Sequence, residues 1–596
     1  MTISHDRKNM KILFVPLIKK NGGFGHLKRC LEIITEIMED GAAGFRAGIF
    51  APDSFSRHRI TEILNPGRKK ISSKHIDIIT ELSTPWDFII FDRKSSSLED
   101  YNYFRDFGVV IGLDEGGESR NYLDYLIDIL PLPRRYGLPN KSGLEYINYP
   151  AARRTGKNGL RKILLSFGGE DPFDLSGILA NFLIKNKIFA GEDVSVVRGP
   201  FFGDPNDKLR LPENLKIVDS PVSLKDILYQ YDIVFTSFGL TAYEAAASGC
   251  LTILFNPGKY HRTLSKLAGF PEIGILKPGK RRLVSILDKS RFYLEKQKAM
   301  IPGKPISIFS FLKTLSLPER RSCPVCGNNL NKVAGRFPER TFRICSECLI
   351  VYQISFNSKK TNYDKNYFFS EYKKQYGKTY LEDFPGIRLY STKRLRNISR
   401  ISKKNGSKTK KLLDIGCAYG PFLLEAAGKA YLPYGIDVST AAIEHIKKEY
   451  NLNASCVGFE DFDSRKEFGI EEFDVITMWW VIEHFQYPDS VLNKVGKLLK
   501  PGGVFAVSTP NYSGLTARKD PGDFLKNSPR DHYTIWDPES AIRIFKKSGF
   551  RVKKVEVTGY HPERFPISRT AGKIIAPLLK LGDTFEVYSV KEEDCG

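Results

Sequence analysis

The stretch LLDIGCAYGPFLLEAA, Leu412–Ala427, reads as a buried strand, a glycine-bearing turn and then a helix. Such a turn at the carboxyl end of the first strand of a βα unit is where open α/β sheets bind ligands. Gly416 and Gly420 let the backbone approach a ligand where a Cβ would stand in the way. Downstream, PYGIDVS brings a second strand to its end at Asp437, and VGFEDF a third near Glu460 and Asp461. FDVITMWWVIEHF gives a fourth strand followed by Glu483 and His484, and LLKPGGVFAVSTPN turns into a fifth. A carboxylate placed like Asp437 can accept hydrogen bonds from both hydroxyls of a ribose.

These residues resemble a class I S-adenosylmethionine-dependent methyltransferase, over about residues 380–592. The resemblance implies that Asp414, Gly416 and Gly420 line the methionine end of the cofactor, Asp437 takes the ribose and Asp461 the adenine amino group. One departure is Ala418, where the usual turn has its middle glycine. A sulfonium methyl is already activated, so catalysis reduces to alignment and removal of the acceptor proton. His484, and His532 in SPRDHYTIW, are the candidate bases, with a backbone-holding role the plainer alternative for each. Trp479 and Trp480 are either walls of an acceptor pocket or packing.

Ahead of this domain, CPVCGNNLNKVAGRFPERTFRICSEC places Cys323, Cys326, Cys345 and Cys348 as two knuckles, the spacing of a closed tetrahedral zinc site. So small a unit cannot bury a core of its own, and the metal is expected to supply much of its folding energy. With the domain that follows, it resembles the zinc-ribbon methyltransferases of sugars and small molecules, in which the ribbon helps to build the acceptor site.

The preceding residues hold two further βα arrays. KILFVPL, RAGIFAP, FIIFD and VVIGLD are strands of the first, and KILLSFGG, VSVVRGP, LKIVDS, DIVFTSFG and LTILFNP belong to the second, with AARRTGKNGLRK as a hinge between them. Two doubly wound parallel sheets facing a cleft are expected. NGGFGHLKRCLEI sets His26 and Arg29 at a helix start, and LLSFGGEDP offers Gly168 and Gly169 at a strand end. FTSFGLTAYEAAASG puts Thr241 at a helix N-terminus, suited to a diphosphate, with Glu244 in reach of a ribose.

Over about residues 10–312 these motifs resemble the GT-B nucleotide-sugar enzymes, nearest to the UDP-sugar hydrolase of pseudaminic acid biosynthesis and related surface-polysaccharide proteins. The resemblance implies that His26 activates water or an acceptor hydroxyl, and that Arg29, Gly168, Gly169, Thr241 and Glu244 hold a UDP-sugar. FDRKSSS stands where the hydrolases carry DxY, LDEGG (Asp114, Glu115) where they pair aspartates, and His261 where a polar residue meets the nucleotide.

The expected architecture is therefore α/β: a GT-B-like pair of Rossmann-type domains (10–150 and 158–312), a zinc ribbon (320–355) and a class I methyltransferase domain (363–592). A chain of 596 residues is too long for one core and accommodates them. Its net charge of +23 comes from short clusters with no long basic tail, which reads as a solvated surface more than a polyanion site. Of nine cysteines four sit in the CxxC pairs, which indicates a metal site with free thiols and no disulfide framework. Without an apolar run of spanning length or a signal-peptide pattern, a cytoplasmic protein is expected, able to rest against the inner membrane. The expected function is bifunctional: methyl transfer from S-adenosylmethionine to a sugar or sugar nucleotide, and hydrolysis or transfer of a UDP-linked sugar, for a bacterial surface glycan. The alternatives are an RNA methyltransferase docked by its ribbon, and a small-molecule methyltransferase with a non-catalytic sugar-nucleotide scaffold.

Overall fold

The computed structural model describes residues 10–592 apart from 20–24, 40–44, 65–75, 134–136, 155–158, 191–192, 200–210, 213–214, 220–222, 358–372, 374–376, 403–408, 430, 562–574 and 576–577. The loop residues Asn21–Phe24 before His26 and part of the Tyr-rich stretch 363–400 thus lie outside the described residues. The chain divides into two compact units, residues 1–317 with 336–339, and residues 318–335 with 340–596.

The first unit holds two sheets. One comprises β1 (Met10–Pro16), β2 (Phe45–Phe50), β3 (Asp77–Ile79), β4 (Phe88–Asp92), β5 (Val109–Leu113), β6 (Tyr125–Asp128) and β7 (Lys141–Ser142), in the order β3-β2-β1-β4-β5-β6-β7. Its pairings are all parallel. Ile12, Leu13, Phe14 and Val15 of β1 are fully buried, as a strand covered on both faces requires. The second sheet contains β8 (Ile163–Leu165), β9 (Val194–Arg198), β10 (Lys216–Asp219), β11 (Ile233–Thr236), β12 (Leu251–Asn256), β13 (Glu272–Ile275) and β14 (Lys277–Pro278). It repeats the pattern as β10-β9-β8-β11-β12-β13-β14, with only β14 antiparallel. After β14 the unit carries helices Lys280–Asp288, Ser290–Met300 and Ile308–Leu312. Arg59 with Glu170 (2.9 Å) and Lys225 with Glu32 (2.8 Å) join the two halves of this unit.

In the second unit β18 (Lys410–Ile415), β19 (Tyr431–Asp437), β20 (Asn453–Cys456), β21 (Phe473–Trp479), β22 (Leu499–Pro510), β24 (Phe550–Thr558) and β25 (Thr584–Lys591) form one sheet, ordered β20-β19-β18-β21-β22-β25-β24. β25 runs antiparallel between β22 and β24. The helix Tyr380–Ile401 opens this domain with a capping box in which Thr379 and Glu382 satisfy each other's backbone N–H groups. A separate sheet consists of β15 (Lys332–Phe337), β16 (Arg340–Ile344), β17 (Val351–Ser355) and β23 (Thr534–Ile535). β23 lies between β22 and β24 in the sequence, yet it pairs with Val351 and Tyr352 beside the cysteine knuckles.

Candidate active sites

In the second unit the sheet order reverses between β18 and β21, and the turn quoted above fills that point. Gly416 and Gly420 have φ of +75° and +80°, and a Cβ on Gly416 would lie 2.4 Å from Val481 Cγ2. Ala418 occupies the same left-handed region at φ +46°, so its methyl is carried at a backbone cost that glycine would avoid. Ala418 N–H and Ser439 N–H donate to the two oxygens of Asp437 at 2.8 and 2.9 Å. Asp437 therefore ties the turn to the end of β19, and each oxygen keeps a lone pair for a ligand. Burial pushes its carboxyl above the usual range. Asp414 is 2% exposed and accepts from Thr477 Oγ1 at 2.6 Å; burial outweighs that bond and the Arg394 charge and pushes it up to about 7. The third strand ends at Cys456, short of the sequence reading, so Asp461 lies on the turn beyond it, with its side chain exposed.

The segment after β21 packs Val481 against the turn and then presents Glu483 and His484. Glu483 is 1% exposed, and neither carboxylate oxygen has a hydrogen-bond partner. Burial pushes its carboxyl up to about 7, against the opposing influence of His484. His484 Nδ1 lies 3.2 Å from Asp531 Oδ2, and this carboxylate raises the imidazole's pKa although burial lowers it. His532 meets His484 edge to face with ring centroids 4.7 Å apart, and burial together with the His484 charge pushes it down to about 3. The structure thus brings both candidate histidines together.

Two partners were not apparent from the sequence. Asp531 is one. The other is Arg340 of β16, whose guanidinium donates to the carbonyls of Leu525, Lys526, Ser528 and Pro529. Gln353 Nε2 donates to the Arg530 carbonyl at 2.6 Å, so the knuckle sheet holds the loop that delivers Asp531 and His532. Trp479 is buried, with the Arg394 guanidinium 4.1 Å from its ring centroid, and is a packing residue. Trp480 is 39% exposed and has φ +64°, a strained conformation for a bulky residue. In the knuckles the Cys323–Cys348 and Cys326–Cys345 sulfurs are 3.5 and 3.4 Å apart, too far for disulfides, and all four Sγ atoms lie within 4.8 Å of one another.

In the first unit the corresponding reversal falls between β1 and β4. Asp92, the last residue of β4, is wholly buried and lies 2.7 Å from His26 Nδ1. Arg29 Nε and Nη2 donate to the two Asp92 oxygens at 2.7 and 2.6 Å, and Nη1 donates to Asp114 Oδ2 at 2.6 Å. Burial alone would raise the Asp92 carboxyl, but the Arg29 guanidinium overrides it and holds it at about 2. Arg29 is itself 7% exposed, its guanidinium committed to two carboxylates. Asp114 Oδ1 also accepts from the N–H groups of Ile129 and Leu130, while Glu115 binds Ser96 and Gly117. Glu244 is buried and 3.4 Å from Lys225 Nζ. The helix Leu240–Ala247 carrying Thr241 has no side-chain cap at Gly239. Gly168 has φ +92°, and Gly169 packs so tightly on Gly199 that a Cβ there would lie 2.4 Å from the Gly169 Cα. Lys94 Nζ sits 4.4 Å from the Tyr260 ring centroid, and burial together with Lys94 lowers the His261 pKa.

A doubly wound sheet with one antiparallel strand, a glycine turn at its reversal point and carboxylates at successive strand ends define a methyl-transfer domain of the Rossmann-like class. Comparison with known proteins agrees. Residues 387–555 match the family model described as a methyltransferase domain. A ubiquinone biosynthesis O-methyltransferase of Glaesserella parasuis is 30% identical over 193 residues, 30% of this chain and 79% of that protein. One from Actinobacillus pleuropneumoniae is 36% identical over 135 residues, 22% of this chain and 56% of that protein. A solved SAM-dependent methyltransferase from Archaeoglobus fulgidus is similar at 17% identity and a TM-score of 0.27, covering 38% of this chain and 100% of that one. The chain belongs, through its second unit, to the S-adenosylmethionine-dependent methyltransferases. Among the described residues no helix is long and apolar enough to cross a membrane.

Proposed function

We propose that the second unit methylates a hydroxyl of a small acceptor, a sugar or sugar nucleotide, and that the first binds and hydrolyses or transfers a UDP-linked sugar on the same cytoplasmic surface-glycan pathway. The observation that carries the methyl-transfer reading is the meeting of Glu483, His484, Asp531 and His532 beside the Gly416–Gly420 turn. Oxygen as the methylated atom draws support from relatives named as O-methyltransferases.

S-adenosylmethionine supplies a sulfonium methyl. Asp414 and the turn hold its methionine end, Asp437 its ribose and Asp461 its adenine. Carboxylates left without a full counter-charge, as Asp414 is, suit a cationic ligand. The acceptor oxygen loses its proton at the histidine pair, forms the new bond to the methyl carbon, and the carbon–sulfur electron pair returns to sulfur. Zinc fits the four thiols, since the edge of a tetrahedron with Zn–S bonds near 2.3 Å is about 3.8 Å. Cys323, Cys326, Cys345 and Cys348 would hold it beside the sheet from which Arg340 grips the loop ahead of Asp531 and His532.

For the first unit, the His26–Asp92 pair at the sheet reversal supports hydrolysis or transfer. Asp92 orients the imidazole, Arg29 fixes Asp92, and Thr241, Glu244, Gly168 and Gly169 meet the nucleotide. Thermal shift with S-adenosylmethionine, S-adenosylhomocysteine, UDP and UDP-amino sugars, followed by mass analysis of the sugar, tests both halves. Stabilisation by both ligand classes and a mass gain of about one methylene are expected. Stabilisation by the methyl donor alone overturns the two-activity reading, and stabilisation by neither overturns the whole.

A further inference from the structure

We propose that Glu483, His484 and His532 bind a divalent cation that holds the acceptor oxygen, an inference that rests on the methyl-transfer reading and deepens it. The three side chains each offer one ligand atom, and these atoms lie within 4.8 Å of one another. Glu483 is 1% exposed and both its oxygens are unpartnered, although a buried carboxylate ordinarily has hydrogen bonds or a counter-ion. A cation between the imidazoles and this carboxylate supplies the missing partner. Asp531 at His484 Nδ1 is the kind of carboxylate that orients a metal-bound imidazole, and it adds a second negative charge to the neighbourhood.

The donor set also says which ion. One carboxylate and two imidazoles suit Mn²⁺, Fe²⁺ or Zn²⁺, whereas Ca²⁺ asks for an all-oxygen cage. Three protein ligands leave coordination positions open, and the acceptor fills them with its reacting oxygen and a neighbouring one. Both histidines then act as ligands in place of the bases inferred above. A cation-bound hydroxyl is more acidic, so its proton passes to solvent water. The oxygen lone pair forms the C–O bond, the C–S pair returns to sulfur, and the products are a methyl ether, neutral S-adenosylhomocysteine and one proton.

Mn²⁺ is the probe, because it prefers oxygen and nitrogen donors and leaves a four-thiolate site to zinc. The full chain, its zinc content measured, is titrated with Mn²⁺ and followed by electron paramagnetic resonance. One Mn²⁺ per chain is expected, with imidazole nitrogen couplings in the parent protein. Glu483→Gln and His532→Gln are each expected to weaken binding at least tenfold with the zinc content unchanged. A parent that holds no Mn²⁺, shows no nitrogen coupling, or binds as tightly in both variants overturns the proposal. Thermal shift with S-adenosylmethionine on the same samples separates the two readings. A parent stabilised by the methyl donor but holding no Mn²⁺ loses the cation alone. A parent holding Mn²⁺ through these residues without response to the donor keeps the cation and loses the methyl-transfer reading.

Discussion

Asp92 and Asp414 lie at or near the ends of parallel strands, each beside the point where its sheet order reverses, and both are shut away from water. The first carries a bidentate guanidinium and stays ionised, its carboxyl held at about 2. The second has one hydroxyl donor and is pushed up to about 7. Burial is common to both, so the difference comes from the counter-charge. The first unit completes its electrostatics with its own arginine and leaves His26 poised on a settled anion. The second leaves Asp414 and Glu483 under-compensated.

The same substitution in the two places is therefore expected to have opposite signs. Asp92→Asn leaves a buried guanidinium half-paired and should lower stability by about 3–5 kcal/mol, read by chemical denaturation. Asp414→Asn keeps an acceptor for Thr477 and removes a carboxyl that the fold protonates. Below about pH 4 folded and unfolded chains both hold that proton. As pH rises toward 7 only the folded chain keeps it, so this residue costs the parent stability progressively through that window. In the ligand-free protein the variant should exceed the parent at pH 8 by on the order of 2–4 kcal/mol, the gap closing toward pH 4, while S-adenosylmethionine binding weakens. Equal signs for the two variants would break the comparison.

A third substitution sharpens it within the second unit. Arg340→Ala frees the loop carrying Asp531 and His532 but leaves the Gly416–Gly420 turn intact. Methyl transfer should fall about tenfold or more, with S-adenosylmethionine affinity within about threefold of the parent by calorimetry. The smallest effect belongs to Ala418→Gly, which removes a side chain from a left-handed position and should raise stability by about 1 kcal/mol in thermal melts.

The methyltransferase domain was legible because Asp414 and Asp437 stand at or beside strand ends, each a polar residue closing an apolar run, whereas Asp461 lies on the turn beyond β20. The cysteine pairs were legible by spacing alone. What escaped was whatever depends on strand order. His26 and Asp92 are 66 positions apart and meet only because β1 pairs with β4. Arg340 reaches Ser528 only because β23 joins the knuckle sheet, and a two-residue strand leaves no periodicity to read. The sequence showed FIIFD as a strand ending in aspartate, and that ending was the available signal for Asp92. For Trp480 no such signal exists, since a positive φ at tryptophan is imposed by the turn it begins.

The position of β25 carries a consequence for biosynthesis. It is the last of the described strands in chain order but an inner strand of its sheet, with β22 on one side and β24 on the other. At about 5–20 residues per second of synthesis, the strands of the first unit emerge on the order of tens of seconds earlier and can close on themselves. Until Thr584–Lys591 arrives, β22 has an open edge and β24 has no strand to pair with. A ribosome that stalls in this interval holds a chain whose first unit can fold while its methyl-transfer sheet still lacks an inner strand.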